Sequence, residues 1–174
     1  MANEELAARF TAYAAAKLRQ HMDQLARVVP LLDPAEVWHR VNAQTNSVGN
    51  LLLHLTGNVR QWLLAGLAGE PFERDRPAEF AARTGPPADE LLQRLAGAVA
   101  RGCEIIARMT ADELARERTI QGYRVTGLVA VFHVVEHFAG HTGQVVHMVK
   151  ALRDVDLSSY DALGRRLDGD RGLP

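Results

Sequence analysis

Seven histidines occur in the chain, and four of them, His133, His137, His141 and His147, fall in one short stretch. In a helix, residues four apart stand one turn above another on the same face. His133, His137 and His141 would therefore form a column that drifts by about 40° per step. A metal ion binds imidazole nitrogen at about 2.0–2.1 Å, so two ring nitrogens must come within roughly 3–3.5 Å of each other to share it. Residues four apart can do this; residues eight apart, about 12 Å along the axis, cannot. The column thus offers one ion either His133/His137 or His137/His141, and spacing leaves both open. His147 follows His141 by six positions, a turn of about 120° away from the column, and reads as a surface or interface residue.

A pair of imidazoles does not make a tight site, so further ligands must come from another helix. His54 is the candidate. It sits in the apolar run Leu51-Leu52-Leu53-His54-Leu55, where an unpartnered imidazole is costly to bury. Ser47, Asn50, His54, Asn58 and Gln61 recur at spacings of three and four and form a narrow polar stripe. His133, Glu136, His137, Gly140, His141 and Gln144 form a second one. Two such stripes, each flanked by apolar residues, are expected to face each other across a wet cavity, the place where helical bundles build metal sites. Three neutral nitrogen ligands with open positions suit a catalytic rather than a closed structural site. Zinc is the default, with nickel, iron and manganese as alternatives, because imidazole discriminates weakly among them. The competing reading is a core in which the histidines satisfy one another. Around the site, Glu136 reads as solvated rather than as a partner of His133. Gln144 and Asn58 are candidates to face the ion or orient its water. Arg60 and Arg124 are candidates to bind a carboxylate.

The elements that must carry these residues are nearly all helical, since Ala, Leu, Arg, Glu and Gln dominate. Leu6, Phe10, Tyr13, Ala14, Leu18 and Met22 predict a first long helix over about Asn3 to Val28, ended by Pro30. Asp33-Pro34-Ala35-Glu36 has the form of a helix start and predicts a short helix to about Arg40. A second long helix is predicted from about Ser47 to Leu67, closed by Gly69 and Pro71. A polar loop is expected from about Glu70 to Pro87, then a third long helix over Ala88 to Met109. Thr110-Ala111-Asp112-Glu113 starts a short helical turn. Residues Glu117 to Thr126 read as an irregular loop or brief hairpin around Gly122. The last long helix is expected over Gly127 to Arg153. Residues 1–153 then form one four-helix domain and 154–174 a loosely attached polar tail. The connections after the first and third long helices hold roughly 18 residues each, more than an up-down bundle needs, so at least one crossover is expected.

Composition narrows the functional classes. The chain of 174 residues is long enough to bury a core without disulfides or a structural metal. Its net charge of −1, from 20 basic and 21 acidic residues, leaves no basic excess for nucleic acid or an anionic membrane. The single Cys103 excludes a disulfide framework and a cysteine-based zinc site, and its apolar setting reads as packing. Residues Met1 to Phe10 are charged at Glu4, Glu5 and Arg9, unlike a signal peptide, and no apolar run is long enough to span a bilayer. Cytoplasm is the expected compartment.

The segment from His133 to Val145, with its HxxxH spacing followed by one residue and Gly-Gln, resembles the last-helix signature of the DinB-like superfamily. The segment from Asn46 to Asn58 is similar to that superfamily's second-helix histidine, in the form of an uncharacterised bacterial branch. The resemblance covers nearly the whole chain to Arg153. It implies an all-α four-helix bundle of up-down-down-up topology with long crossover connections, and a divalent metal held by His54, His137 and His141, with His133 outside the triad. It also implies an activity seen among such proteins: metal-dependent transfer or isomerisation with a low-molecular-weight thiol such as bacillithiol, mycothiol or glutathione, acting on an electrophilic substrate. Homodimers are expected by the same resemblance. The alternatives are a non-catalytic metal-binding stress-response bundle and a hydrolase that uses metal-bound water.

Overall fold

The computed structural model describes residues 1–157 and 161–163. Its elements run α1 (Ala2–Val28), a 3-10 turn (Val29–Leu31), α2 (Pro34–Val37), α3 (Val48–Val59), a π-helical stretch (Arg60–Ala65), α4 (Gly66–Ala68), α5 (Arg76–Ala81), α6 (Ala88–Ala107), α7 (Ala111–Ala115), β1 (Glu117–Ile120), β2 (Tyr123–Thr126) and α8 (Gly127–Arg153). The fold is all-α apart from the β1–β2 hairpin. The α3, π-helical and α4 segments are continuous and together make the second long helix.

Four long helices enclose one core. α1 packs on α6 and α8, and α3 packs on the same two helices, so α1 and α3 lie on one diagonal. Phe138, Leu18, Leu25, Leu51, Leu52, Leu55, Leu95 and Ile106 are among the side chains fully removed from solvent between them. Each stabilises the bundle by about 1.5–3 kcal/mol relative to exposure. Cys103 belongs to this core, with its thiol directed at the Ala15 carbonyl, and burial pushes the thiol's pKa up.

Contacts between helix ends fix the directions. Arg153, the last residue of α8, bonds to Leu31 and Asp33 beyond the end of α1, so α1 and α8 are parallel. Ala111, just past α6, reaches Glu4 near the start of α1, so α1 and α6 are antiparallel. Arg101, late in α6, pairs with Glu70 beyond α4, so α3 and α6 run the same way. The order is up-down-down-up.

That topology puts the decisive crossover between α4 and α6. The first and third connections change direction at one end of the bundle. The second must return the length of the bundle to start α6 parallel to α3, and residues 69–87 run along α3 to do so. The expected polar loop there is corrected: it contains α5, started by Asp75, whose side chain accepts from the Ala78 amide, with Pro77 in the first turn. The helix after Asp33 stops at Val37, short of Arg40. The stretch Glu117 to Thr126 is a regular antiparallel hairpin. Its two-residue turn has positive φ at Gln121 (54°) and Gly122 (83°), the conformation that matches the twist of a tight hairpin. The expected tail lies mostly outside the described residues; within them, Leu157 packs against the core.

Candidate metal centre

α3 begins at Ser47, whose hydroxyl accepts from the Asn50 amide at 3.1 Å while Asn50 Oδ1 accepts from the Ser47 amide at 3.0 Å. This reciprocal cap sets the phase of the helix and turns His54, two turns on, toward α8. α8 begins at Thr126, whose hydroxyl caps the Val129 amide. α3 and α8 are antiparallel, so His54 meets His137 and His141 while Asn58 meets His133.

His54, His137 and His141 each offer a ring nitrogen, and these atoms lie within 4.8 Å of one another. His54 Nε2 and His137 Nε2 are 2.9 Å apart. At metal–nitrogen bonds of about 2.0–2.1 Å, two ligand nitrogens stand about 2.9 Å apart at a right angle and about 3.3 Å at a tetrahedral one. The rings are therefore already near ligand spacing. His133 is outside the group: its ring lies on Trp62, with centroids 4.1 Å apart, and its Nε2 accepts from Asn58 Nδ2 at 3.3 Å. Asn58 Oδ1 is buried with no hydrogen-bond partner.

The crossover supports His54 from behind. His54 Nδ1–H donates to Glu79 Oε2 at 2.9 Å. Arg74 donates to both Glu79 oxygens, through Nε at 2.7 Å and Nη2 at 2.8 Å, and through Nη1 to Gln61 Oε1 at 2.7 Å. An ionised carboxylate only accepts, so Nδ1 carries a proton and Nε2 faces the cluster. The Arg74 and Glu79 side chains are only 6% and 11% exposed. Burying such a pair roughly cancels its attraction, so stability alone does not explain it. Asn50 Nδ2 ties the crossover down by donating to the Glu79 and Ala82 carbonyls at 2.8 and 2.9 Å. Gly57 gives the approach room, because a Cβ there would overlap the Glu79 carboxylate and the Arg74 guanidinium.

The electrostatics favour unprotonated rings. Burial lowers His137 to about 3, helped by His141, His54, His133 and Arg74. Burial also lowers His141, against an opposing hydrogen bond from its Nδ1–H to Gln144 Oε1 at 2.9 Å. Burial lowers His133 more than exposed Glu136 raises it. Burial alone would raise Glu79, but the hydrogen bonds from His54 and Arg74 outweigh it and hold the carboxyl below the usual range. Three imidazoles with no thiolate or carboxylate among them suit a borderline-soft divalent cation.

A cavity of about 390 Å³ opens beside the cluster, bounded by His54, Asn58, Trp62, His133 and His137, by Arg74 and Arg76 of the crossover, and by the hairpin. Trp62 stands on the π-helical stretch, a distortion frequent at functional sites. Its Nε1–H donates to Gln121 Oε1 at 3.1 Å, which fixes the hairpin tip over the cavity.

The structure thus brings together His54, His137 and His141 and leaves His133 and exposed His147 aside. The polar stripe on α3 divides its work. Ser47, Asn50 and Gln61 hold the helix cap and the crossover, and only His54 and Asn58 reach α8. Asn58 bonds to His133, not to a group beside His54, and Gln144 backs the His141 ring. Arg60 stacks on Phe72 and Arg124 pairs with Glu117, so the arginines at the cavity are Arg74 and Arg76 instead. Arg74 and Glu79 were hidden by the reading of residues 70–87 as a loop. The signal was Asp75-Arg76-Pro77, a helix start of the same kind as Asp33-Pro34.

Over residues 5–162 the sequence matches the family described as protein of unknown function (DUF1572). No curated protein matches it. Among solved structures, a conserved protein from Enterococcus faecalis superposes with a TM-score of 0.70 at 17% identity, covering 83% of this chain and 98% of the other. A DinB-like protein from Bacillus cereus gives 0.61 at 12% identity, covering 77% and 87%. A DinB-like protein from Bacillus subtilis gives 0.61 at 15% identity, covering 86% and 94%. With the family match spanning most of its length and these folds superposing on its bundle, the chain belongs to the DUF1572 family and has the DinB-like fold.

Proposed function

We propose that this protein binds one divalent metal ion, zinc by default, through His54, His137 and His141, and transfers a low-molecular-weight thiol to an electrophilic small molecule. The observation that carries the reading is the convergence of three ring nitrogens, with Glu79 bonded to His54 Nδ1 so that Nε2 faces His137 and His141. A divalent cation on three imidazoles would act as a Lewis acid and bring the pKa of a thiol into the neutral range. The rest falls to the chain itself. Burial keeps the His137 ring neutral at neutral pH. Trp62, Val125 and Val129 give the adjoining cavity an apolar lining, and its volume is of small-molecule size. No protein nucleophile is required.

Purified protein should carry close to one zinc, nickel, iron or manganese ion per chain. The loaded protein should conjugate bacillithiol, mycothiol or glutathione to a generic electrophile such as a chloro-dinitroarene, at a rate lost in His54→Ala. A loaded protein inactive with all three thiols would overturn the transferase reading. Turnover of a simple ester by that protein would then assign a hydrolase, and inactivity there too a non-catalytic metal-binding bundle. The proposed compartment is the cytoplasm; no helix among the described residues is long and apolar enough to cross a membrane. The proposed assembly is a homodimer, supported by Leu128, Val129 and Phe132 standing exposed on α8. A monomer mass in light scattering would overturn it.

A further inference from the structure

The cavity beside the histidines has a composition that the metal reading does not require. Its lining side chains include two arginines and no carboxylate other than the one Arg74 already holds behind His54. Arg74 spends its charge on Glu79. Arg76 has no carboxylate partner among the described residues, and its guanidinium lies over the Phe80 ring, 4.9 Å from the centroid. Phe80 in turn packs on His54, with ring centroids 4.6 Å apart. An uncompensated cation therefore stands at the cavity two ring contacts from the histidine cluster.

The opposite wall is aromatic. Trp62 and Tyr123 lie nearly parallel, at 25°, with centroids 6.5 Å apart, and His133 covers the Trp62 ring at 4.1 Å. Val125 and Val129 complete an apolar side, and the Gln121 amide is held on Trp62. At roughly 30 Å³ per water-sized group, the cavity of about 390 Å³ accepts on the order of a dozen such groups. Aromatic and apolar side chains and an exposed guanidinium with no carboxylate partner among the described residues, all lining one cavity, select a flat molecule with an anionic end.

We infer that this cavity binds a small aromatic carboxylate, its ring against Tyr123, Val125 and Val129 and its carboxylate on Arg76. The inference goes beyond the transferase reading: it names what the cavity binds and assigns no reaction to the bound acid.

The test uses the full chain, zinc-loaded and metal-free, titrated calorimetrically with cinnamate and with uncharged cinnamamide of the same shape. Cinnamate should bind both forms at least tenfold more tightly than the amide. Arg76→Gln should lower cinnamate affinity by roughly tenfold, as expected for a lost charge-assisted hydrogen bond, and leave amide affinity and zinc content unchanged. Equal binding of acid and amide by the wild type would overturn the inference, and so would an Arg76→Gln variant of undiminished affinity. Absence of cinnamate binding at millimolar concentration would overturn it as well. Cinnamate binding that needs zinc and ignores Arg76 would mean that the carboxylate is only a metal ligand. Wild-type protein that fails to bind zinc but still prefers the acid through Arg76 would overturn the metal reading alone.

Discussion

The two halves of the histidine cluster are built differently. On α3, His54 is 3% exposed and its ring is gripped by Glu79, which Arg74 holds from both oxygens while Gln61 and Asn50 anchor the strap that delivers it. On α8, His137 and His141 are half-buried, and only His141 has an outer partner, the exposed amide of Gln144. Their positions come from helix spacing, with two imidazoles one turn apart on a rod fixed by buried Val134, Phe138 and Val145. One half is an imidazole aimed by tertiary structure and the other an imidazole pair aimed by secondary structure. The first can be weakened from outside the site, whereas the second is weakened mainly by changing the ligands.

The largest expected effect comes from that second half. His137→Ala should reduce zinc affinity by more than about a hundredfold, beyond the upper end of what outer partners contribute, measured by competition with a chromophoric chelator. Glu79→Gln keeps the shape of the strap but removes the charge that orders the His54 ring, and should cost about 10–100-fold in zinc affinity. Retained helicity in circular dichroism would assign that loss to the tautomer rather than to unfolding. Equal affinity of Glu79→Gln and wild type would remove the contrast between the halves.

Acid should act on stability through His137. His137 has a folded pKa of about 3 against an ordinary 6.5, so the unfolded chain binds the proton first. The stability it contributes is complete above about pH 6.5 and is lost as pH falls toward about 3. Glu79, held below its ordinary 4.5, adds a loss of the same sign at the lower end. The urea midpoint of metal-free wild type should fall across this window, and that of His137→Ala should fall less steeply. The smallest effect should be at Gln144→Ala. Loss of one exposed hydrogen bond to His141 should weaken zinc by about threefold, well below the Glu79 variant.

Much of this was legible in residue order. The i,i+4 spacing on an apolar helix marked the column His133, His137 and His141 without choosing between its two pairs, the family resemblance pointed to His137 and His141, and the leucine run marked His54 as a buried imidazole in need of partners. The four long helices follow from apolar periodicity and caps. The strap was not legible, for a physical reason. Arg74 and Glu79 act across 20 and 25 positions from His54, and their segment has no apolar periodicity because it lies along α3 by hydrogen bonds from Asn50 and to Gln61 and by the missing side chain of Gly57. Arg124 read as a candidate to bind a carboxylate, but the hairpin brings it to Glu117, seven positions away, and the crossover brings Arg76 to the cavity instead. The pairing of His133 with Trp62 likewise depends on the π-helical turn, which helical periodicity does not reveal.

The central claim is that one ion sits on His54, His137 and His141, with His133 apart. Zinc stoichiometry after dialysis, read together with zinc-edge X-ray absorption on wild type and on the four single histidine-to-alanine variants, tests it most directly. The account predicts close to one ion per chain with three imidazoles in its first shell, kept in His133→Ala and lost in each of the other three. A metal-free wild type that also refuses added zinc, or an ion lost with His133 and kept without His141, would contradict it.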